Sequence, residues 1–210
     1  MKKTLFDFQD GKGPVPAKRH KNPDGSIGGW VANTAKVSGN AQVYGNAQVS
    51  GDAQVSGDAW VSGDALVYGN ARVSGGARVS GNARVSGDAL VYGNARVSGN
   101  AQVYGNAQVS GDARVSGNAQ ISGDAWVSGN ARVSGNARVL KSPLCTSGLT
   151  WLVTITNTNM SIGCECHDFA DWKKFTNIQI KGMHAQALTF WKQYKKLLFE
   201  LITKHTKGKS

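Results

Sequence analysis

Three cysteines and four histidines supply the ligating and nucleophilic side chains of this 210-residue chain, and none lies between Val31 and Val139. The densest group is Cys164, Cys166 and His167, a Cys-x-Cys-His run, with Cys145 and His184 elsewhere in the same C-terminal stretch. Thiolates and imidazoles bind zinc, and a structural site takes four of them, commonly through Cys-x2-Cys pairs. Cys-x-Cys within one strand would place both sulfurs on one face, a usable but atypical spacing. Cys164 and His167 also read as a nucleophile and its base, but nothing nearby resembles an orienting acid or an oxyanion hole. A thiol is more often a small buried hydrophobe than a ligand. The expectation is therefore structural: this group fills a junction, with Cys145, Cys164, Cys166, His167 and His184 kept as fallback metal ligands. No catalytic residue, cofactor or bound metal is expected.

The elements that must position these groups are set by a repeat. Val or Ile stands at every sixth residue from Val31 to Val139, and most intervals read Ser/Tyr–Gly–Asn/Asp–Ala–x. A period of six fits neither the helical turn nor the two-residue alternation of a half-buried strand. It fits a short strand and a tight corner, repeated as a coil. Val suits strands and Ala is small enough for the inside of a corner. Gly with Asn or Asp tolerates the positive φ that corners need. Stacked coils would pair strands about 4.8 Å apart and join the valines into one core.

The Val-x-x-x-Ala-x pattern resembles the hexapeptide repeat of the left-handed parallel β-helix family, in which three hexads make one triangular coil. The resemblance implies six coils over residues 31–138, and it alone supplies the left hand, since generic crossover rules favour right-handed connections. Relatives of this fold include acyltransferases and γ-class carbonic anhydrases, which need histidines on the coils. The coils here have none and no inserted loop, so catalysis on the repeats is not expected. An acyltransferase-like enzyme using flank residues stays as a remote alternative.

Taking every eighteenth residue gives the columns of each face. One face runs Gln42, Trp60, Arg78, Arg96, Arg114, Arg132; a second runs Lys36, Gln54, Arg72, Leu90, Gln108, Trp126; the third runs Gln48, Leu66, Arg84, Gln102, Gln120, Arg138. Four arginines in succession make a basic stripe, and adjacent charges at this spacing repel by about 0.9 kcal/mol in water. The candidate binding residues are Arg78, Arg96, Arg114, Arg132, Trp60 and Trp126. Trp60, Trp126, Leu66 and Leu90 are expected to be exposed, and with the tyrosines they offer contact material for a partner or a second copy. Ser86 is expected to point outward. Threonine ladders, which ice binding would want, are absent from the coils.

The formal net charge of +11 sits mainly in the flanks, because the coils carry Lys36 and seven arginines against six aspartates. That dilutes the case for a nucleic-acid footprint without removing it. No stretch of about 20 apolar residues exists, so a membrane span is not expected. MKKTLFDFQD lacks a signal-peptide core, and three cysteines argue against a disulfide framework, so a cytoplasmic location is expected.

After the coils, 150–156 alternates like a strand and MSIGCECH (160–167) reads as a second. Asp168 is a plausible N-cap for a helix bearing Phe169, Trp172 and Phe175. Residues 184–205 form an amphipathic helix with Ala187, Trp191, Tyr194, Leu198 and Leu201 on its apolar stripe. The expected organisation is an N-terminal arm and cap (1–30), a hexapeptide-repeat β-helix (31–140) and a small α+β C-terminal cap domain (141–210). Solenoids need such caps because open ends expose unpaired strand edges. The tail, with GCECH, DW and MHAQALTFWKQY, together with RHKNPDGSIGGWV at 19–31, resembles hexapeptide-repeat proteins of phages and prophages. That likeness implies a phage setting and the cytoplasm of a bacterial host, and no mechanism. The functional expectation is a non-enzymatic scaffold presenting its ladders to an unidentified host or phage macromolecule. Nucleic acid is the alternative partner, and a homo-oligomer, by resemblance a trimer, is expected.

Overall fold

Each x–Val pair of the repeat forms a two-residue strand, from Lys36–Val37 (β4) at six-residue intervals to Arg138–Val139 (β21). The computed structural model describes residues 4–10, 13–146 and 148–207. Strands β1 (Leu5–Phe6), β2 (Val15–Lys21) and β3 (Ile27–Ala32) precede the coils. Strands eighteen residues apart pair in parallel and in register, as Arg78 with Arg96 and Val79 with Val97. Three faces result. One runs from β3 through every third strand to β21, a second from β4 to Trp126–Val127 (β19), and a third from Gln42–Val43 (β5) to Arg132–Val133 (β20). The chain is thus a β-solenoid of about six turns, as the eighteen-residue division predicts.

The core is a single apolar column. Every Val and Ile of the column from Val43 to Val127 is fully buried, as is every corner Ala from Ala47 to Ala137. Burying each Val side chain contributes roughly 1.5–3 kcal/mol, and the column repeats that gain at every strand. Between them the corner Gly turns the chain at φ from +60° to +71° between Gly39 and Gly135. Gly carries this alone. Asn and Asp were expected to share it, yet Gln9 is the single non-Gly residue with positive φ among the described residues. Their side chains bond along the rod instead: Asn82 to Asn100, Asn100 to Asn118 and Asn118 to Asn136, each at 3.0–3.1 Å. Ser86 also departs from expectation, being only 9% exposed. Tyr68 and Tyr104 flank it in its column, one coil to either side, and bulky neighbours shelter a small side chain.

Both ends of the stack are closed by side chains that imitate a strand. At the N-terminal end, Asn22 accepts the Val43 N–H at 2.8 Å and donates to the Val43 carbonyl at 3.3 Å. His20 Nε2 lies 3.3 Å from the Ala41 carbonyl. Gly28 and Gly29 press onto this end so closely that a Cβ would meet Val43 O at 1.7 Å and Ala47 O at 2.1 Å. At the other end, the N–H groups that would face a further coil reach hydroxyls. Trp126 donates to Ser142 Oγ at 3.0 Å, Arg132 to Thr154 Oγ1 at 3.2 Å and Arg138 to Thr158 Oγ1 at 3.1 Å. Ser161 Oγ donates to the Arg132 carbonyl at 3.2 Å. Buried backbone groups are paired somewhere in stable proteins, and here the caps supply the partners.

The C-terminal domain is a four-stranded antiparallel sheet followed by three helices. The strands are β22 (Leu144–Thr146), β23 (Val153–Ile155), β24 (Asn159–Ile162) and β25 (Glu165–Asp168). The segment 160–167, expected as one strand, is a hairpin: Ile162 pairs with Glu165 across Gly163–Cys164. Gly163, at φ +61°, occupies the first loop position that a II′ turn reserves for glycine. The helices are α1 (Phe169–Lys174), α2 (Asn177–Met183) and α3 (Ala187–Lys207). Asp168 caps α1 as expected, accepting from the Asp171 N–H at 2.7 Å. Helix α2 was not anticipated, although Thr176 and Gln179 form a capping box at its start. Val153, Ile155, Met160, Trp172, Ile180, Trp191 and Leu198 form the domain's own core.

Candidate binding surface and junction cleft

The column Gln42, Trp60, Arg78, Arg96, Arg114, Arg132 is in register on the β5–β20 face. Parallel pairing sets neighbouring guanidinium stems about 4.8 Å apart. All four arginines are exposed. Among the described residues, none lies within 4.0 Å of a carboxylate; the one such contact is His167 to Glu165 at 3.0 Å. Position 76 holds Gly where the neighbouring coils have Asp58 and Asn94, which opens a notch of about 240 Å³ beside Arg78, Arg96 and Arg114. Asp112 also lines that notch, but its carboxylate accepts the Asn94 amide at 3.3 Å.

The aromatic candidates do not form one patch. Trp60 lies on the arginine face, 38% exposed, with Tyr44 tilted against it at 4.8 Å and the Arg78 guanidinium 6.0 Å from its ring centre. Tyr44 in turn donates to Asp24 at 2.7 Å; the Ser26 hydroxyl first and then Tyr44 lower the Asp24 pKa, and the bond to Asp24 raises that of Tyr44. Trp126 is 52% exposed on the β4–β19 face and donates its indole N–H to Ser110 at 3.0 Å. Leu66 and Leu90 are half-buried rather than exposed.

The five Cys/His candidates are spread over the cap, with Cys145 on β22, Cys164 in the β24–β25 turn, Cys166 and His167 on β25, and His184 just after α2. Cys145 lies beside Thr154 Oγ1 at 3.9 Å, and burial of its sulfur pushes the thiol pKa up. Cys164 sits exposed in the β24–β25 turn, whereas Cys166 donates to the Ser134 carbonyl of the last coil at 3.5 Å. The two sulfurs therefore do not share a strand face, because Cys164 is a loop residue. His167 packs edge-on to Trp172 and Phe175, and His184 edge-on to Trp151. Among the described residues, no three His, Cys, Asp or Glu side chains converge as ligands for one ion.

A cleft of about 270 Å³ opens where the cap meets the arginine face. Trp151, Trp172, Phe190 and Trp191 wall it, with Cys164, Glu165, His184 and Arg132 also in its lining. The Arg132 guanidinium crosses from the rod and donates to the Gly163 carbonyl at 3.3 Å. Arg132, Cys164 and His184 are candidates legible in the sequence, but the cleft they line is not. Its walls come from Trp151 ahead of β23, the β24–β25 hairpin and all three helices, and only the aromatic density of 151–191 hinted at it.

A family model described as the YdcK β-solenoid repeat matches the chain in eight stretches between residues 41 and 133, from 41–57 through 119–133. The chain is a β-solenoid repeat protein. The match covers most of the coils and ends before the cap. No curated protein matches the chain. Among the described residues, no helix is long and apolar enough to cross a membrane.

Proposed function

We propose that this solenoid is a non-enzymatic binding scaffold whose arginine column engages a polyanionic macromolecule. The observation that carries the reading is the lack of ion pairing: Arg78, Arg96, Arg114 and Arg132 stand in register, and among the described residues no carboxylate lies in ion-pair range of them. Stacking like charges contributes nothing to the core, and it disfavours the coils slightly. A phosphate- or carboxylate-bearing chain laid along the column would convert that repulsion into attraction. The coils hold no histidine, and the paired backbone gives a straight, stiff platform rather than a site for bond making. In the phage setting that the tail resembles, the partner is a host or phage macromolecule in the bacterial cytoplasm, with nucleic acid the first candidate. Side-by-side association of copies, a trimer by analogy with the fold's relatives, is proposed through Trp126 on the β4–β19 face, which leaves the arginine face free.

Fluorescence anisotropy with a labelled single-stranded oligonucleotide, a duplex and polyphosphate, each across a salt series, tests the reading. Four neutralised phosphates on a single strand predict a slope of roughly −2.8 in log affinity against log salt. Arg96→Glu with Arg114→Glu should reduce both affinity and slope. A slope unchanged by that pair, or no binding to any polyanion at low salt, refutes it. Light scattering settles the oligomer: a 22.2 kDa particle across the micromolar range removes the trimer.

A further inference from the structure

We infer that the junction cleft binds a small aromatic anion, a flat ring held between the tryptophan walls with its carboxylate or phosphate on the Arg132 guanidinium. The volume, about 270 Å³, falls just below the range of ordinary ligand pockets and suits one or two fused rings. The walls present rings at several angles. Trp151 meets Phe190 at 4.9 Å and 65°, and Trp172 meets Trp191 at 5.2 Å and 32°. Aromatic pairs prefer such offset and edge-on contacts, so a further ring can join the cluster through its face or edge.

The charge arrangement selects an anion over an ammonium. The Arg132 side chain has five N–H donors, and among the described residues its one hydrogen-bond partner is the Gly163 backbone carbonyl. Glu165, the carboxylate in the lining, is already engaged 3.0 Å from His167 Nε2. Lys195, outside the lining, holds its Nζ 5.2 Å from the Trp191 ring centre. A cationic ligand would meet the Arg132 guanidinium and a carboxylate already engaged, whereas an anion meets a guanidinium with donors to spare. The site shares Arg132 with the column but needs no polyanion there, and its readout, the cap tryptophans, is distinct from that of the column.

The test uses the full chain labelled with 5-fluorotryptophan, whose six tryptophans report separately by fluorine NMR. Indole-3-acetate and phenyl phosphate serve as carboxylate and phosphate probes, with neutral indole and choline as comparisons. The expected result is movement of the Trp151, Trp172 and Trp191 signals with Trp30, Trp60 and Trp126 unmoved. The better anion should bind about tenfold tighter than neutral indole, the increment of one charge-assisted hydrogen bond. Arg132→Gln should erase that preference while leaving indole binding within about twofold, and Ala187→Leu, which projects into the cleft, should block all probes. Choline binding as well as the anions overturns the proposal. So does an anion preference that survives Arg132→Gln, or cap tryptophans that stay unmoved at millimolar probe.

Discussion

Removing the two hydroxyls that close the arginine end of the rod should loosen the cap before the coils. Thr154 accepts the Arg132 N–H and Ser161 donates to the Arg132 carbonyl, both at 3.2 Å, and the two residues are 1% and 4% exposed. In Thr154→Val with Ser161→Ala, both backbone groups of Arg132 lose their partners while staying covered by the sheet. A buried polar group left unsatisfied costs about 1–3 kcal/mol, so the pair should cost about 2–6 kcal/mol. That is a large share of the roughly 5–15 kcal/mol by which a domain is stable. Thr158→Val is the control, since Thr158 is exposed and water can take the place of its hydroxyl beside Arg138. It should cost under about 1 kcal/mol. Hydrogen exchange read residue by residue is the assay. In the double variant, amides of β23 and β24 should lose protection while those of Val79 and Val97 keep theirs. Unchanged cap protection and an unchanged urea midpoint would show that other partners replace the hydroxyls, and the surrogate-strand account of the cap would be wrong.

Other perturbations probe the coils and two half-buried histidines. Val85→Asp places a carboxylate in a fully buried column and should cost more than about 4 kcal/mol, visible as loss of the cooperative melt. Gly99→Ala meets both a φ of +67° and Gly117 backbone atoms 3.0 Å from the new Cβ, whereas Gly129→Ala has the strained φ and open space. Both should lose about 1–2 kcal/mol from backbone strain, and Gly99→Ala should lose more; equal melting shifts would contradict the close stacking of corners. His20 and His205 both have pKa values held below the usual 6.5, chiefly by burial, with Lys18 and Lys141 adding repulsion against the Ala41 carbonyl's opposing pull on His20. The unfolded chain therefore binds protons more readily, and stability should fall as pH drops below about 6.5. Replacing both histidines with Asn should flatten that decline, as followed by urea midpoints between pH 5 and pH 8.

The coils were legible because their physics is local and repeated. A Val every six residues, an Ala at each inner corner and a Gly where φ must be positive fix strand, corner and interior, and the eighteen-residue sum then fixes which arginines align. The ends were not legible, because their logic is complementary rather than periodic. Nothing around Thr154 or Ser161 in sequence announces that their hydroxyls face Arg132, more than twenty residues earlier. The cleft was hidden for the same reason, since Arg132 and Trp191 meet only after the cap has docked. Two misreadings were local. Gly163 signals a tight turn that breaks 160–167 into a hairpin, and Thr176 with Gln179 spells the capping box of α2; both signals were present in the sequence and went unread.

The interior makes no distinction among the three faces, since each contributes the same Val and Ala to the same column. A hexad is therefore an interchangeable module, while the outer residues belong to particular walls. Gain or loss of eighteen residues in the gene would lengthen or shorten the arginine column and leave its direction alone. A change of six or twelve would keep the core intact yet turn everything on one side of the junction onto a different wall. The column would be broken, and the cleft would be offered a different partner from the rod. Length variants of this protein should thus fall into two kinds, those that rescale its surface and those that reshuffle it.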